Sequence, residues 1–281
     1  MRKEFKIQLE MRKAKGIKPK AKRPGKWLFP TNAEKQYDKV LYSLTAELKR
    51  LIKEILVPEI PSMVDEVEGK MPNDRLDDYL DRLKGLIIYI GKAIQDKVNT
   101  TILEAELIGV EIARFNKKQS EKVTHSIFGI DIFVDEPWLG DQLKLFSSQN
   151  AQLIRSLPEQ ELERVAGDIE RGLQQGVRFT DIAKGIQKSF GITRRRATLI
   201  ARDQTTKLNA SLTRLRQQEV GVEEYVWQTS GDERVRPTHR ANDGKKFRWD
   251  SPPKVTGHPG NDVNCRCVAL PVLDNLISDK R

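Results

Sequence analysis

Apolar residues at three- and four-residue steps constrain this chain more than any other feature of it. Tyr37, Leu41, Leu44, Leu48, Leu51 and Ile55 share one face of a helix. Pro58 and Pro61 stop that helix, because proline has no amide hydrogen and its ring clashes with the preceding turn. A second stripe runs through Leu76, Leu80, Leu83, Ile87, Ile90, Ile94 and Val98, with Asp74 and Asp77 at its start to suit the helix dipole. It can continue past Ile102 through Leu107 and Ile112. Two such stripes bury each other either as an antiparallel pair within the chain or as a seam with a neighbouring subunit. With 38% apolar and 32% charged residues, the chain has a core and a heavily ionised surface. The longest apolar run, Leu86-Ile87-Ile88-Tyr89-Ile90, is far shorter than a membrane span.

The helical pattern resumes near Leu139, after Ile130, Ile132 and Val134 alternate with Asp131 and Phe133 as a short strand would. Ser156-Leu157-Pro158-Glu159 has the form of a capping box with proline in the first turn. It predicts a helix from Leu157 to about Gly176. Phe179, Ile182, Ile186 and Phe190 make the next stripe, closed by Gly191. Thr193 then caps a helix to about Gln218, with Ala197, Ile200, Ala201, Leu208, Leu212 and Leu215 inward and Gly221 as its stop. The Gly191-Ile192-Thr193 link also admits a helix-turn-helix. Arg194, Arg195 and Arg196 would then open a recognition helix, which makes a DNA-binding protein one alternative. Asp203 and Glu219 dilute the charge of that helix.

Charge is unevenly placed. Residues 1–30 hold Arg2, Lys3, Lys6, Arg12, Lys13, Lys15, Lys18, Lys20, Lys22, Arg23 and Lys26 against Glu4 and Glu10, so +9 of the net +10 lies there. Such an arm neutralises DNA phosphates, lines an acidic partner, or stays a solvated flexible tail. No apolar run follows it, so it does not read as a secretory signal. Two cysteines give no disulfide framework, which predicts a reducing birthplace.

Both cysteines and two of the three histidines lie in the last quarter. Tyr225-Val226-Trp227 reads as a strand entering a small sheet, with Val268 to Val272 as its partner. Alternation puts Cys265 and Cys267 on one face and Arg266 on the other. Two thiolates with His239 and His258 make a candidate zinc site, with Asp232 in reserve. The competing reading is two small buried thiols and a hydrogen-bonded His239. Asp232, Arg234 and Arg236 suggest a polar network that fixes the loop through arginine–carboxylate contacts. A metal-dependent nuclease built on Asp232, His239, Asn264 and the cysteines is a further alternative. It lacks a paired-carboxylate cage and any His-Asn-His order.

From about Leu153 to Val272 the ordered features resemble one family. They are Arg195-Arg196-Ala197-x-x-Ile200-Ala201-Arg202-Asp203-Gln204-Thr205, Leu208-Asn209-x-x-Leu212-x-x-x-Arg216 and Val226-Trp227-x-Thr229-Ser230-x-Asp232-x-Arg234-Val235-Arg236-Pro237-x-His239. Asp243-Gly244-Lys245-x-Phe247, Pro252-Pro253 and Asn264-Cys265-Arg266-Cys267 follow. The series is similar to the phage Mu F-like or SPP1-type head morphogenesis (minor head) proteins. It departs from many relatives at Gly260-Asn261-Asp262-Val263, where an aromatic residue or Gly-Trp pair is common. The resemblance implies a non-enzymatic minor capsid protein of a tailed phage, held in the capsid interior and made in the host cytoplasm. It implies association with the portal protein at the portal vertex and, for some members, an influence on DNA retention or ejection; the basic arm would then contact packaged double-stranded DNA or anchor to portal, scaffolding or major capsid protein. No membrane is implied. The expected fold is α+β, a mainly helical body with a small C-terminal cap containing the Cys/His residues. The expected divisions are an arm at 1–30, helices at 31–135, and a Mu F-like domain at 150–275 with helices over 157–218 and a small sheet and loops over 222–272.

Overall fold

The computed structural model describes residues 7, 10–11, 14–16, 27–63, 73–128 and 135–273. The expected strand at 130–134 and most of the basic arm lie outside them. Among the described residues the long helices are α1 (Thr31–Leu51), α2 (Asn73–Ala93), α3 (Gln95–Phe128), α4 (Leu139–Gln174) and α5 (Phe179–Glu219). Then follow β1 (Glu224–Gln228), the one-turn α6 (Pro237–Arg240), β2 (Lys246–Arg248) and β3 (Val268–Pro271). The strands form one antiparallel sheet in the order β2-β1-β3. The fold is α+β, mostly helical, with a small sheet near the C-terminus. No helix among the described residues is long and apolar enough to cross a membrane.

The chain forms two compact units, each assembled from separated segments. One comprises Lys35–Leu107 and Ser147–Ala201, the other Met1–Glu34, Ile108–Phe146 and Arg202–Arg281. The expected divisions run along the sequence, whereas these units interleave.

In the all-helical unit, α1 buries Tyr37, Leu41, Leu44, Leu48 and Leu51, as its stripe predicts. A π-helical turn at Ile52–Leu56 then adds a residue to the period, so Ile52 and Leu56 are buried and Ile55 is only half-buried. Two expected helix starts are absent. α4 runs unbroken through Pro158, and α5 runs unbroken through Gly191-Ile192-Thr193, so no turn separates the two halves of the expected helix-turn-helix. Burial outweighs the local signals. Leu157 and Pro158 are both buried, and Ser156 bonds back to the Leu153 carbonyl instead of capping forward. Thr193 turns its hydroxyl sideways to the fully buried Glu161, which also accepts from the Ser189 hydroxyl at 2.5 Å and from Arg164 Nη1 at 2.7 Å. Tyr37 in α1 donates to Asn150 in α4.

The mixed unit is organised around the C-terminal half of α5, which ends where Gly221 takes φ +84° and Val222 N–H reaches back to the Gln217 carbonyl at 2.9 Å. Arg216 is 1% exposed and makes two bonds to Glu136, at 2.7 and 2.9 Å. It also donates to the Ala113 carbonyl at 3.2 Å and to Asn116 Oδ1 at 2.6 Å. Gln217 ties the helix to the sheet: its amide donates to the Ala269 carbonyl at 2.8 Å and accepts the Trp249 indole N–H at 3.2 Å.

Candidate metal centre

The site is built on β1. Tyr225 and Trp227 alternate inward and are fully buried, and with Trp249, Cys265, Cys267 and Ala269 they make one small core. The loop from β1 to β2 is closed at its base by Trp227 N–H to the Lys245 carbonyl at 2.9 Å and Gly244 N–H to the Trp227 carbonyl at 2.8 Å. Within it, Pro237 starts the single turn of α6, which drops His239 into the core at 2% exposure. The Trp227 ring meets the His239 ring edge-on, 5.4 Å between centroids.

The cysteines come from the segment just before β3. Asn264 takes φ +62°, a left-handed turn that asparagine tolerates, and Cys265 N–H bonds to the Asp262 carbonyl at 3.1 Å. That turn delivers Cys265 and Cys267 to the same face of the extended chain, both buried, with each Sγ 3.5 Å from His239 Nδ1. The donor atoms of His239, Cys265 and Cys267 all lie within 4.8 Å of one another. The other ring nitrogen, Nε2, is 2.8 Å from Asp262 Oδ2. Gly260 N–H points at Cys265 Sγ from 3.4 Å. The neighbouring Cys267 and the Gly260 amide pull Cys265 below the ordinary thiol range, and Cys265 with burial pushes Cys267 up.

The structure therefore brings together three of the four residues read as metal ligands and places the fourth elsewhere. His258 Nδ1 meets the Tyr225 hydroxyl at 2.9 Å, and its ring lies 4.9 Å from that of Trp249. Burial pushes its pKa below the usual 6.5, with Arg214 adding to the shift. Burial therefore favours the neutral ring more strongly in the folded protein than in the unfolded chain. Its folded pKa is the lower one, so its contribution to stability is full above about 6.5 and is lost as pH falls below that value. The predicted result is a thermal midpoint that drops on acidification below about 6.5, with a shallower drop in His258→Gln. Equal slopes in the two proteins would refute this.

The polar residues arrange themselves differently from the expected network. Asp232 Oδ1 accepts from the backbone N–H of Arg234 at 3.0 Å, an Asx turn rather than a guanidinium pair. Arg236 donates to the Val263 carbonyl at 2.7 Å and sits 3.5 Å from Asp262. Arg266 pairs with Glu34 and lies over the Phe29 ring. Arg202, Asp232, Arg234, Arg236 and Arg266 line, with the His/Cys cluster, a cavity of about 220 Å³. In the other unit, Arg194 makes two bonds to Asp38, at 2.9 and 2.7 Å, and Arg196 bonds Ser156; Arg195 is exposed. Of the arm residues, Lys15 is described and exposed. The residue that sequence reasoning missed is Asp262. The signal was the Gly260-Asn261-Asp262-Val263 departure, which puts a carboxylate three residues before Cys265.

Residues 163–270 match the family model described as Phage Mu protein F like protein. The chain is 23% identical over 273 residues to Minor head protein GP7 of Bacillus phage SPP1, covering 89% of this chain and 85% of that one. It is 33% identical over 228 residues to an uncharacterized protein of Haemophilus influenzae, covering 77% of this chain and 51% of that protein. It is also 26% identical over 133 residues to the NAD(+)--arginine ADP-ribosyltransferase EFV of Enterococcus faecalis, covering 42% of this chain and 27% of the enzyme. The chain thus spans about half the length of the Haemophilus protein and about a quarter of the Enterococcus one. No solved structure matches it.

Proposed function

We propose that this chain is a minor head protein of a tailed phage, non-enzymatic, docked to the portal protein inside the capsid. Its role is in head assembly and in DNA packaging or ejection. The observation that carries this reading is the similarity to GP7 along most of both chains, well beyond the family-matched segment. The concentration of +9 in residues 1–30 supports contact between that arm and packaged double-stranded DNA. Scaffolding and major capsid proteins are further partners in this reading. Docking by helix faces fits the first half of the chain. Leu103 and Leu107, one turn apart on α3, are 61% and 68% exposed, and Ile88 and Tyr89 on α2 are 58% and 59% exposed.

Co-expression with the portal protein encoded beside it, followed by affinity capture, tests the reading. The expected result is a complex that survives high salt and is lost in Leu103→Asp/Leu107→Asp while the chain keeps its helical circular dichroism. Removing residues 1–26, which spares the buried Trp27, should leave that complex intact and abolish salt-sensitive DNA retention. Absence of a complex, with sequence-specific DNA binding or metal-dependent DNA cleavage in its place, would overturn it.

A further inference from the structure

We propose that His239, Cys265 and Cys267 bind one zinc ion and leave its fourth coordination position open to the arginine-lined cavity, where it takes a carboxylate from outside the chain. Distance carries the first half. Zinc bonds of about 2.3 Å to sulfur and about 2.0–2.1 Å to nitrogen, at a tetrahedral angle, hold S and N about 3.5 Å apart. Both sulfurs stand 3.5 Å from His239 Nδ1. The proton inventory agrees with this. Asp262 takes the Nε2 hydrogen at 2.8 Å, which leaves the Nδ1 lone pair facing the sulfurs, the arrangement that orients zinc-binding histidines. The Gly260 amide aimed at Cys265 Sγ suits a thiolate.

The second half rests on what is missing from the cluster. Closed structural zinc sites take four protein ligands, whereas a site with three keeps a position for another ligand. Among the described residues, no further His, Cys, Asp or Glu joins these three. His258 is held by Tyr225, and Asp262 is engaged on the far side of the imidazole. The cavity of about 220 Å³ is lined by the three ligands, four arginines and Asp232, the one acidic group in its wall. Two thiolates neutralise the zinc charge; Arg202 and Arg266 share Glu34 and Arg236 faces Asp262, so four arginines against Glu34, Asp262 and Asp232 leave the wall net positive, and an anionic oxygen is the complementary ligand. Zinc would clamp the loop after β1 to the segment before β3, and an acidic side chain or C-terminal carboxylate of a partner could then complete it.

The test uses the full chain, purified under reductant, with metal content measured and cobalt substituted for zinc. The expected result is one metal per chain and a tetrahedral cobalt spectrum with a sulfur-to-metal charge-transfer band. Asp262→Asn, which leaves all three ligands in place, should weaken affinity about 10–100-fold. Cys265→Ser should abolish the charge-transfer intensity from one sulfur, and His258→Gln should bind metal as the parent does. Acetate titration should shift the cobalt bands in the parent and in Asp232→Asn alike. A folded chain that takes up no zinc or cobalt, or loss of metal in His258→Gln, overturns the site. Bands that acetate moves only in Asp232→Asn, or in neither protein, overturn the open position.

Discussion

Glu136→Gln is expected to destabilise the protein by about 3–5 kcal/mol, the largest single effect of a conservative change here. The Arg216 guanidinium is 1% exposed, and the Glu136 side chain is 4% exposed. The substitution keeps size and shape but removes the only countercharge that bonds this guanidinium in the described structure. The remaining partners, the Ala113 carbonyl and Asn116 Oδ1, are neutral acceptors, and a buried charge without its partner costs far more than a lost surface pair. Chemical denaturation should show the midpoint fall with an unchanged slope. A loss below about 1 kcal/mol would mean that water reaches Arg216. Replacing both residues by apolar ones should recover much of the loss, because the pair has desolvation costs of its own.

Gly260→Ala is expected to cost about 2–4 kcal/mol and to disturb the His/Cys cluster as well. Gly260 holds φ +89°, where an L side chain is strained by roughly 1–2 kcal/mol. A Cβ there would lie 2.4 Å from the Ala210 Cβ on α5, and neither atom has a rotamer to escape through. The chain must move away from α5, taking with it the amide that points at Cys265. Gly260→Ala paired with Ala210→Gly separates the two contributions. Relief of the clash should restore part of the stability, and the residue left over measures backbone strain. If Gly260→Ala alone is neutral in denaturation, the close approach is not present in solution.

Much of the helical part was legible because it follows one rule. Tyr37, Leu41, Leu44 and Leu48 fall at helical steps and are all buried. Gly176 and Gly221 end α4 and α5 where the pattern placed them, both at positive φ. The failures share a cause, since each was a local signal outvoted by a distant partner. Thr193 and Ser156 look like caps, but Glu161 and Arg196 engage them from other helices. Glu161 itself looks like any charged helix residue, and nothing nearby in sequence says that it is fully buried among two hydroxyls and an arginine. The π-helical turn at 52–56 shows only as Ile52 and Leu56 lying one position off the stripe.

The site divides along the same line. Cys265 and Cys267 were readable because their spacing is two and both thiols share a face. His239 could be named but not separated from His258. The difference between them is made by Asp262, 23 residues after His239, and by Tyr225, 33 residues before His258. Arg216 stood in the matched pattern without a role, since its partner Glu136 precedes the segment that carries the resemblance.

Interleaving of the two units sets an order on synthesis. The all-helical unit has its last residues once Ala201 has left the ribosome, whereas the mixed unit must keep Ile108–Phe146 waiting until Arg202 and everything after it emerge. Glu136 and Asn116 are thus made 80 and 100 residues before the arginine that they bind. A fragment cut at the start of the family-matched segment would begin inside α4 and lack both of these residues. A fragment with the family-matched boundaries therefore keeps Arg216 but loses the carboxylate that balances its buried charge.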